Sequence, residues 1–556
     1  LISLNGEIYN YRALMPQVSE PAVSDTRVLL RCVESHGLLG TLASIRGMFG
    51  FALFDALRGE LHLARDRFGE KPLAYSRLRS GAIAFSSEMK GLQAFDELDL
   101  SIDRGAVDWI LSRGYIPAPL TIYSHVRKVE PATVLTFPES LCASNHSYWR
   151  PPLSKRGPDG PSTARVRSAI TSAVEATLVS DVPVGAFLSG GVDSSLVTAL
   201  ANQFSEEKIS TFTIGFEDAA FDESAWARRV ASHLGTDHHE LVVSEHEAMR
   251  VVTDLSTVYD EPFSDSSQIP TLLVCKLAAQ THRVVISGDG GDELFGGYTR
   301  YRVAMSMWRR MCWLPRRVRL VTARLLGRIP ASVINPVLMR VAHLGGYRLR
   351  ERDATQRRDR LAKLAGSTDL LSMYSQLVTH LGVGPSFEDL SRITEAFDSR
   401  KANCMTDLML VDQLVYLPDD LLVKVDRAGM SVGLEIRAPL LDPRVAKAAA
   451  GCHREVTHGD PKSIMKDFLR DYIPDSLVDR PKQGFGVPLG NWLRGGLREW
   501  AEGLLTPHGA NCGEFVAPFV VQQLWEEHQS GSRDWSAAIW DLLMLEDWLR
   551  TNPWSS

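Results

Sequence analysis

The chain has 556 residues, 44% of them hydrophobic and 23% charged, which is enough for two or three domains and lies outside the disordered range. Lysine plus arginine number 61 against 67 aspartates plus glutamates, a formal charge of −6, so no global basic surface points to nucleic acid, and no apolar run approaches the ~18 residues of a membrane span. The seven cysteines, Cys32, Cys142, Cys275, Cys312, Cys404, Cys452 and Cys512, are scattered without a CxxC pair, which excludes a zinc knuckle or disulfide framework and fits a reducing, cytoplasmic compartment.

Leu1–Leu4 reads as a strand with no charged and apolar leader before it, so the chain reads as cut into a domain already under way. Residues 1–150 alternate short strands and turns, with strands expected at Phe49–Phe54, Glu60–Ala64 and Gly81–Ser86. Ser24 reads as the cap of a helix whose face carries Val28, Leu29, Cys32 and Val33, and a second helix is expected over Gly105–Ser112. This is an α+β pattern. Asn5–Glu7, by local signals, reads as a turn at a strand end. Residues 151–163 follow as a linker, because Arg150–Thr163 holds four prolines and no apolar period.

Residues 164–556 begin with βα units. Helices are expected over Val166–Leu178, Ser194–Gln203, Ser224–Leu234 and Ile269–Thr281. Between them lie strands at Val182–Leu188, Ile209–Phe216, His239–Val243 and Arg283–Ser287. Such a run predicts a parallel sheet covered by helices on both faces. Beyond Tyr301 the pattern is mostly helical, ending in Trp535–Arg550, where Ile539, Leu542, Leu543 and Trp548 read as core. From Arg300 to Lys363 the only acids are Glu351, Asp353 and Asp359. That stretch reads as a solvated basic face or, more sharply, as a surface that docks on an anionic membrane or an acidic partner.

One turn carries chemistry. After the apolar run come Ser189, Gly190, Gly191, Val192, Asp193, Ser194 and Ser195, opening a helix. Glycines let the backbone approach an anion, and the N–H groups of a helix start bind phosphate. GxxxxGK[ST] is absent, so no lysine reaches the β- and γ-phosphates as in a P-loop. A loop that holds those phosphates as a leaving pyrophosphate suits attack at the α-phosphate. Asp193 and Asp292, each following a strand, are placed to share a Mg²⁺. His233, His238 and His239 lack metal-ligand spacing and read as structural.

SGGVDSS is similar to the pyrophosphate loop of N-type ATP pyrophosphatases. FTIGF (Phe212–Phe216), LGTDHHE (Leu234–Glu240), YDEPFSDSS (Tyr259–Ser267), SGDGGDELFGGY (Ser287–Tyr298), KVDRAGMSVGLEIRAPLLD (Lys424–Asp442) and RPKQGFGVP (Arg480–Pro488) narrow the likeness. NGEIYNY (Asn5–Tyr11), SDTRVLL (Ser24–Leu30), ARDRFGEKPL (Ala64–Leu73) and FSSEMKGL (Phe85–Leu92) extend it. Together they resemble the glutamine-dependent asparagine synthetases over nearly the whole chain.

The resemblance implies an Ntn-hydrolase-like class II glutaminase domain, incomplete at its start, ahead of an ATP pyrophosphatase domain. It implies ATP and Mg²⁺, with aspartate and glutamine or ammonia as substrates, and is compatible with a homodimer. Ser189, Gly190, Gly191, Asp193, Ser194, Ser195, Ile214, Ser287 and Gly288 would hold the nucleotide. Asp289 would orient the acceptor and take a proton from ammonia, and Lys482 would stabilise charge on the α-phosphate. Asn5 and Gly6 would form an oxyanion hole, and Asn5, Glu7 and Asp25 would hold glutamine. The N-terminal cysteine nucleophile of class II glutaminases is absent from this sequence; Cys32 reads as core.

Asp289 departs from the family, whose best-known members carry glutamate there. The shorter side chain alters its reach by roughly an ångström, enough to matter in a near-attack geometry, and so opens the identity of the acceptor. Relatives resembling this family amidate peptides and surface sugars or close β-lactams, and the preserved NGEIYN argues against the lactam branch. A non-catalytic binding or regulatory homologue is the remaining alternative, against which Asp193, Asp292 and Lys482 argue.

Overall fold

Strand β1 (Ile2–Ile8) runs antiparallel to β2 (Gly47–Asp55), with Gly6 opposite Phe49. The turn expected at Asn5–Glu7 is therefore a mid-strand segment. Gly6 has φ 137°, and a Cβ there would lie 2.0 Å from the Met48 carbonyl oxygen. Glycine is needed for the close approach of two backbones, and strand pairing overrides the local turn signal. A computed structural model provides these coordinates and describes residues 1–15, 24–138, 143–152, 163–218, 222–328, 354–382, 384–398, 400–452, 460, 462–480, 486–505 and 510–555. Most of the expected linker lies outside them.

The first sheet continues through β3 (Glu60–Arg65) to β7 (Thr133–Phe137) and β8 (Ser144–Ser147), all antiparallel. A smaller sheet places β4 (Ala74–Arg77) between β5 (Ile83–Ser86) and β6 (Val126–Lys128). Helix α1 (Asp25–Ser44) starts at Ser24, whose hydroxyl accepts from the Arg27 N–H at 3.4 Å. Its Val28, Leu29 and Cys32 pack against Ile8, Phe49 and Phe51. Cys32 is thus a core residue, as its position on the apolar face predicts. Helix α2 (Arg104–Arg113) begins at Asp103, which accepts from Gly105 and Ala106.

The second sheet is wholly parallel, in the order β11 (Asp237–Val243), β10 (Ser210–Phe216), β9 (Val184–Phe187), β12 (Val284–Ile286), β13 (Glu435–Arg437). The chain steps outward from β9 to β11 and returns to the other side of β9. The β9–β12 junction is therefore the topological switch point, where ligands bind at strand C-termini. Four helices follow the expected order: α3 (Thr163–Thr177), α4 (Val192–Phe204), α5 (Ser224–Leu234) and α6 (Gln268–Ala278). β13 was not anticipated; three residues are too short for a periodic signal.

The α+β and α/β expectations hold, and the remainder is mostly helical. Helices used below are α7 (Thr299–Met311), α8 (Arg316–Arg328), α9 (Ala354–Ala365), α10 (Leu422–Met430), α11 (Ser463–Leu469) and α12 (Ser536–Thr551). α12 buries Ile539, Leu542, Leu543 and Trp548 as expected. Its C-terminal half joins Ile110 of α2 and Tyr123 in one apolar cluster, so the first region and the end of the chain share a core. No helix among the described residues is long and apolar enough to cross a membrane.

Candidate functional site

β9 delivers the chain into Ser189–Gly191, and α4 leaves it. Gly190 takes φ 70°, and a Cβ there would strike the Ala227 nitrogen at 2.8 Å, so this glycine serves the packing of the turn on α5. The Ser189 and Ser194 hydroxyls are 3.0 Å apart, and Ser194 Oγ accepts from the Ser189 N–H at 3.2 Å. Ser189 Oγ also accepts from the Gly191 N–H at 3.3 Å. Ser195 is fully buried behind the turn.

The loop after β12 meets this turn directly. A Cβ on Gly288 would lie 2.7 Å from the Ser194 nitrogen, and one on Gly291 would lie 2.5 Å from Asp193 Cγ. The two glycines are what allow the loops to touch. Both loops border a cavity of 740 Å³ that also reaches Ile214, Ser287, Asp289 and Asp292. All the nucleotide residues expected from sequence except Gly190 and Ser195 line it. Those two stand behind the wall.

Asp193 and Asp292 are brought together by a residue that sequence reasoning missed. Lys462, at the N-terminus of α11 with φ 56°, ion-pairs with both carboxylates. Burial alone would pull its pKa down, but the charges of Asp193 and Asp292 hold it above the ordinary lysine value. A buried cation between two oxygen-only ligands shows that the pair seats positive charge, and such ligands suit Mg²⁺. A lone lysine in a loop well over a hundred residues from either acid gives no sequence signal. Arg480 reaches the same turn, donating to the Ser189 carbonyl at 3.4 Å and pairing with Glu223 at 3.3 Å. Lys482 lies outside the described residues.

In the same cavity, Ser287 Oγ donates to Asp289 Oδ2 at 2.7 Å. Burial raises the Asp289 pKa, and the Ser287 hydroxyl and the Lys424 charge oppose that rise. Lys424 of α10 donates to Asp265 Oδ2 at 2.6 Å and Ser267 Oγ at 2.7 Å. Burial would raise Asp265, yet Lys424 outweighs it and holds the carboxyl at about 2. A second cavity, of 950 Å³, meets the first at Asp265, Ser266 and Tyr416.

In the first region, β1 and the start of α1 gather the other predicted residues. Asn5 Nδ2 donates to Ser87 Oγ at 3.0 Å, and the Ile8 N–H donates to Asp25 Oδ2 at 3.2 Å. Burial, then the nearby Asp25 charge, push Glu7 up to about 7. Arg437 of β13 stands 3.8 Å from Glu7, so this site touches the parallel-sheet region. Further contacts cross between the regions: Lys71 pairs with Asp426 at 2.9 Å, and Arg427, which is held by Asp260 at 2.9 Å within the second region, donates to the Ser87 carbonyl at 2.8 Å.

His238 Nδ1 bonds to Thr211 Oγ1 at 2.9 Å, while the His239 ring stacks on Phe212 at 5.2 Å. Both side chains make these contacts within the parallel-sheet region.

A family model described as asparagine synthase matches residues 165–550, and one described as a glutamine amidotransferase domain matches residues 1–149. The chain is 31% identical to a Bacillus subtilis protein named asparagine synthetase (glutamine-hydrolyzing) 1, over 99% of this chain and 85% of that one. It is 26% identical to Bacillus subtilis asparagine synthetase (glutamine-hydrolyzing) 3, over 90% of this chain and 77% of that one. A Gibberella zeae protein named amidase chry2 is 31% identical over 54% of this chain and 47% of its own length.

Proposed function

The chain belongs to the asparagine synthase family, and on that premise we propose that it is an amide-forming ligase that cleaves ATP to AMP and pyrophosphate and converts aspartate to asparagine. The observation that carries this reading is the convergence of the Ser189–Ser194 turn, Asp193 and Asp292 on one cavity at the sheet's switch point, with an ammonium held between the two acids. The turn's N–H and hydroxyl groups would receive the β- and γ-phosphates. Mg²⁺ held by Asp193 and Asp292 would neutralise the departing pyrophosphate. The acceptor carboxylate attacks the α-phosphorus, the bond to the β-phosphate oxygen breaks, and an acyl-adenylate forms. Ammonia then adds to the acyl carbon and AMP leaves.

Asp289 is assigned to the second step. A carboxylate with a raised pKa is a stronger base, suited to take the proton that ammonia loses on attack. Lys424 fixes a positive charge behind it, and Asp265 compensates that charge. Asn5, Glu7 and Asp25 are assigned to holding glutamine, and Asn5 and Gly6 to an oxyanion hole that would act when a nucleophile adds to the glutamine amide carbon.

A second reading keeps the chemistry and changes the acceptor. It is favoured by Asp289 in place of glutamate and by the 950 Å³ cavity that opens beside Asp265, which gives room for a larger carboxylic acid. ATP–pyrophosphate exchange with purified protein, Mg²⁺ and ammonium chloride separates the cases. Aspartate is expected to stimulate exchange and to yield asparagine. Stimulation by a peptide or sugar acid but not by aspartate would select the second reading. ADP and orthophosphate as primary products would reject both. Asp289→Asn is expected to lose amide formation more than exchange, because its role lies in the ammonia step.

A further inference from the structure

From Arg300 to Arg328 the chain holds nine arginines and neither aspartate nor glutamate. The structure sorts this segment into two faces. On the inner side, Arg319 is 6% exposed, donates to the Ser367 carbonyl at 2.8 Å and lies 5.0 Å over the Trp308 ring. That side packs on α9. The outer side is built differently. Val318, Val321 and Leu325, spaced i, i+3 and i+7, form one stripe along α8, and they are 45%, 52% and 55% exposed. Leu314 and Trp313, the latter 86% exposed, extend the stripe from the preceding turn. Among the described residues, five of the sixteen exposed large hydrophobic side chains fall within these thirteen positions.

Arg317 and Arg324 border the stripe along one edge of the helix, and Arg309, Arg310 and Arg316 are exposed nearby. None of these five forms an ion pair with a described residue. A solvated basic face requires the arginines but not the tryptophan, leucines and valines. An isologous contact with a second copy would bring the arginine clusters against each other. An apolar stripe edged by cations that pair with no described residue, with a tryptophan at its end, fits the interface of an anionic bilayer: the stripe enters the acyl boundary and the arginines lie at the phosphates.

We infer that the outer face of α8, with Trp313 and Leu314, docks the protein on the surface of an anionic phospholipid membrane. The helix lies in the plane of the interface and does not span it. The catalytic cavity is not part of this surface, so docking and ligase chemistry are separately testable.

The test is flotation of the full chain with vesicles of phosphatidylcholine alone and with one-quarter phosphatidylglycerol, at low and at high salt. Binding is expected to be at least ~10-fold tighter on the anionic vesicles and to weaken with salt, since each cation near such a surface is worth roughly fivefold. Arg317→Glu with Arg324→Glu is expected to lower binding by more than ~10-fold. Val321→Asp with Leu325→Asp is expected to abolish it while the cations remain. Both pairs change exposed residues, and an unaltered urea unfolding midpoint checks that the variants fold. Failure of folded wild type to float, equal binding to the two vesicles, or full binding by either variant pair would overturn the inference. So would retention on immobilised polyglutamate without vesicle binding, or self-association that Val321→Asp abolishes, which would assign the face to an acidic polypeptide or to a second copy.

Discussion

At one end of the nucleotide cavity Lys462 lies between Asp193 and Asp292; at the other, Lys424 lies against Asp265, with Asp420 close by. Both ends set one ammonium among acids, but they are built differently. Lys462, Asp193 and Asp292 each sit at the N-terminal end of a separate helix, α11, α4 and the short helix Gly291–Phe295. Lys424 sits on α10 and holds Asp265 and Ser267 beside the start of α6. Burial, then the charge of Asp265, raises the Asp420 pKa above the ordinary aspartate value, while Lys424 pairs with Asp265. The phosphate end brings Asp193 and Asp292 together on Lys462, and it is there that the proposed function seats Mg²⁺. On the proposed function, the cation between Asp193 and Asp292 is exchanged during turnover, whereas the Lys424–Asp265 pair belongs to the fold.

The largest effect is expected where the charge is permanent. Lys424→Met leaves the half-buried Asp265 without its cation, and breaking a buried pair costs up to about 3–5 kcal/mol. The urea midpoint should drop accordingly, and adding Asp265→Asn should recover part of the loss. If Lys424→Met proves neutral, this end is as replaceable as the other.

Asp193→Ala tests the exchangeable end. Loss of one ligand to the metal–pyrophosphate pair should lower exchange by at least ~10²-fold, with little change in unfolding. A variant that loses its fold rather than its rate would reverse the distinction between the ends.

Glu293, beside Asp292, supplies a smaller effect with a definite sign. It is fully buried and accepts from the Tyr298 hydroxyl at 2.7 Å; burial, then the Asp292 charge, raise it from 4.5 to about 7. Between those values the folded state keeps a proton that the unfolded chain has lost. Stability should therefore decline as pH rises from about 4.5 to about 7 and then level off. Glu293→Gln should remove about 2 kcal/mol of that decline, as read from urea midpoints at pH 5 and pH 8.

The smallest effect sharpens the metal assignment. Lys462→Met should slow exchange by roughly 10-fold and move the Mg²⁺ midpoint to lower concentration, because the competing ammonium is gone. A midpoint that stays in place or rises would mean that Lys462 supports the carboxylates rather than standing where the metal binds.

The pyrophosphate turn was legible because its chemistry is contiguous. Ser189, Gly191, Asp193 and Ser194 follow one strand and open one helix, so spacing along the chain is spacing in space. The order of helices and strands through β12 was legible for a related reason, since apolar periods are local. Asn5–Glu7 was misread because a glycine inside a strand and a glycine in a turn look alike until a partner strand is known. β13 is too short to carry a period. Lys482 lies outside the described residues.

The sequence by itself determined the two kinds of sheet, the phosphate turn, the burial of Cys32 and the apolar face of α12, because each depends on side chains a few positions apart. Only the tertiary structure decided that Lys462 stands between Asp193 and Asp292, that Lys424 compensates Asp265 behind Asp289, and that Arg437 stands beside Glu7. Those groups come from segments far apart in the chain, and what joins them is electrostatic. Burial makes an unpaired charge costly, and the fold meets that cost with whichever opposite charge the packing brings near.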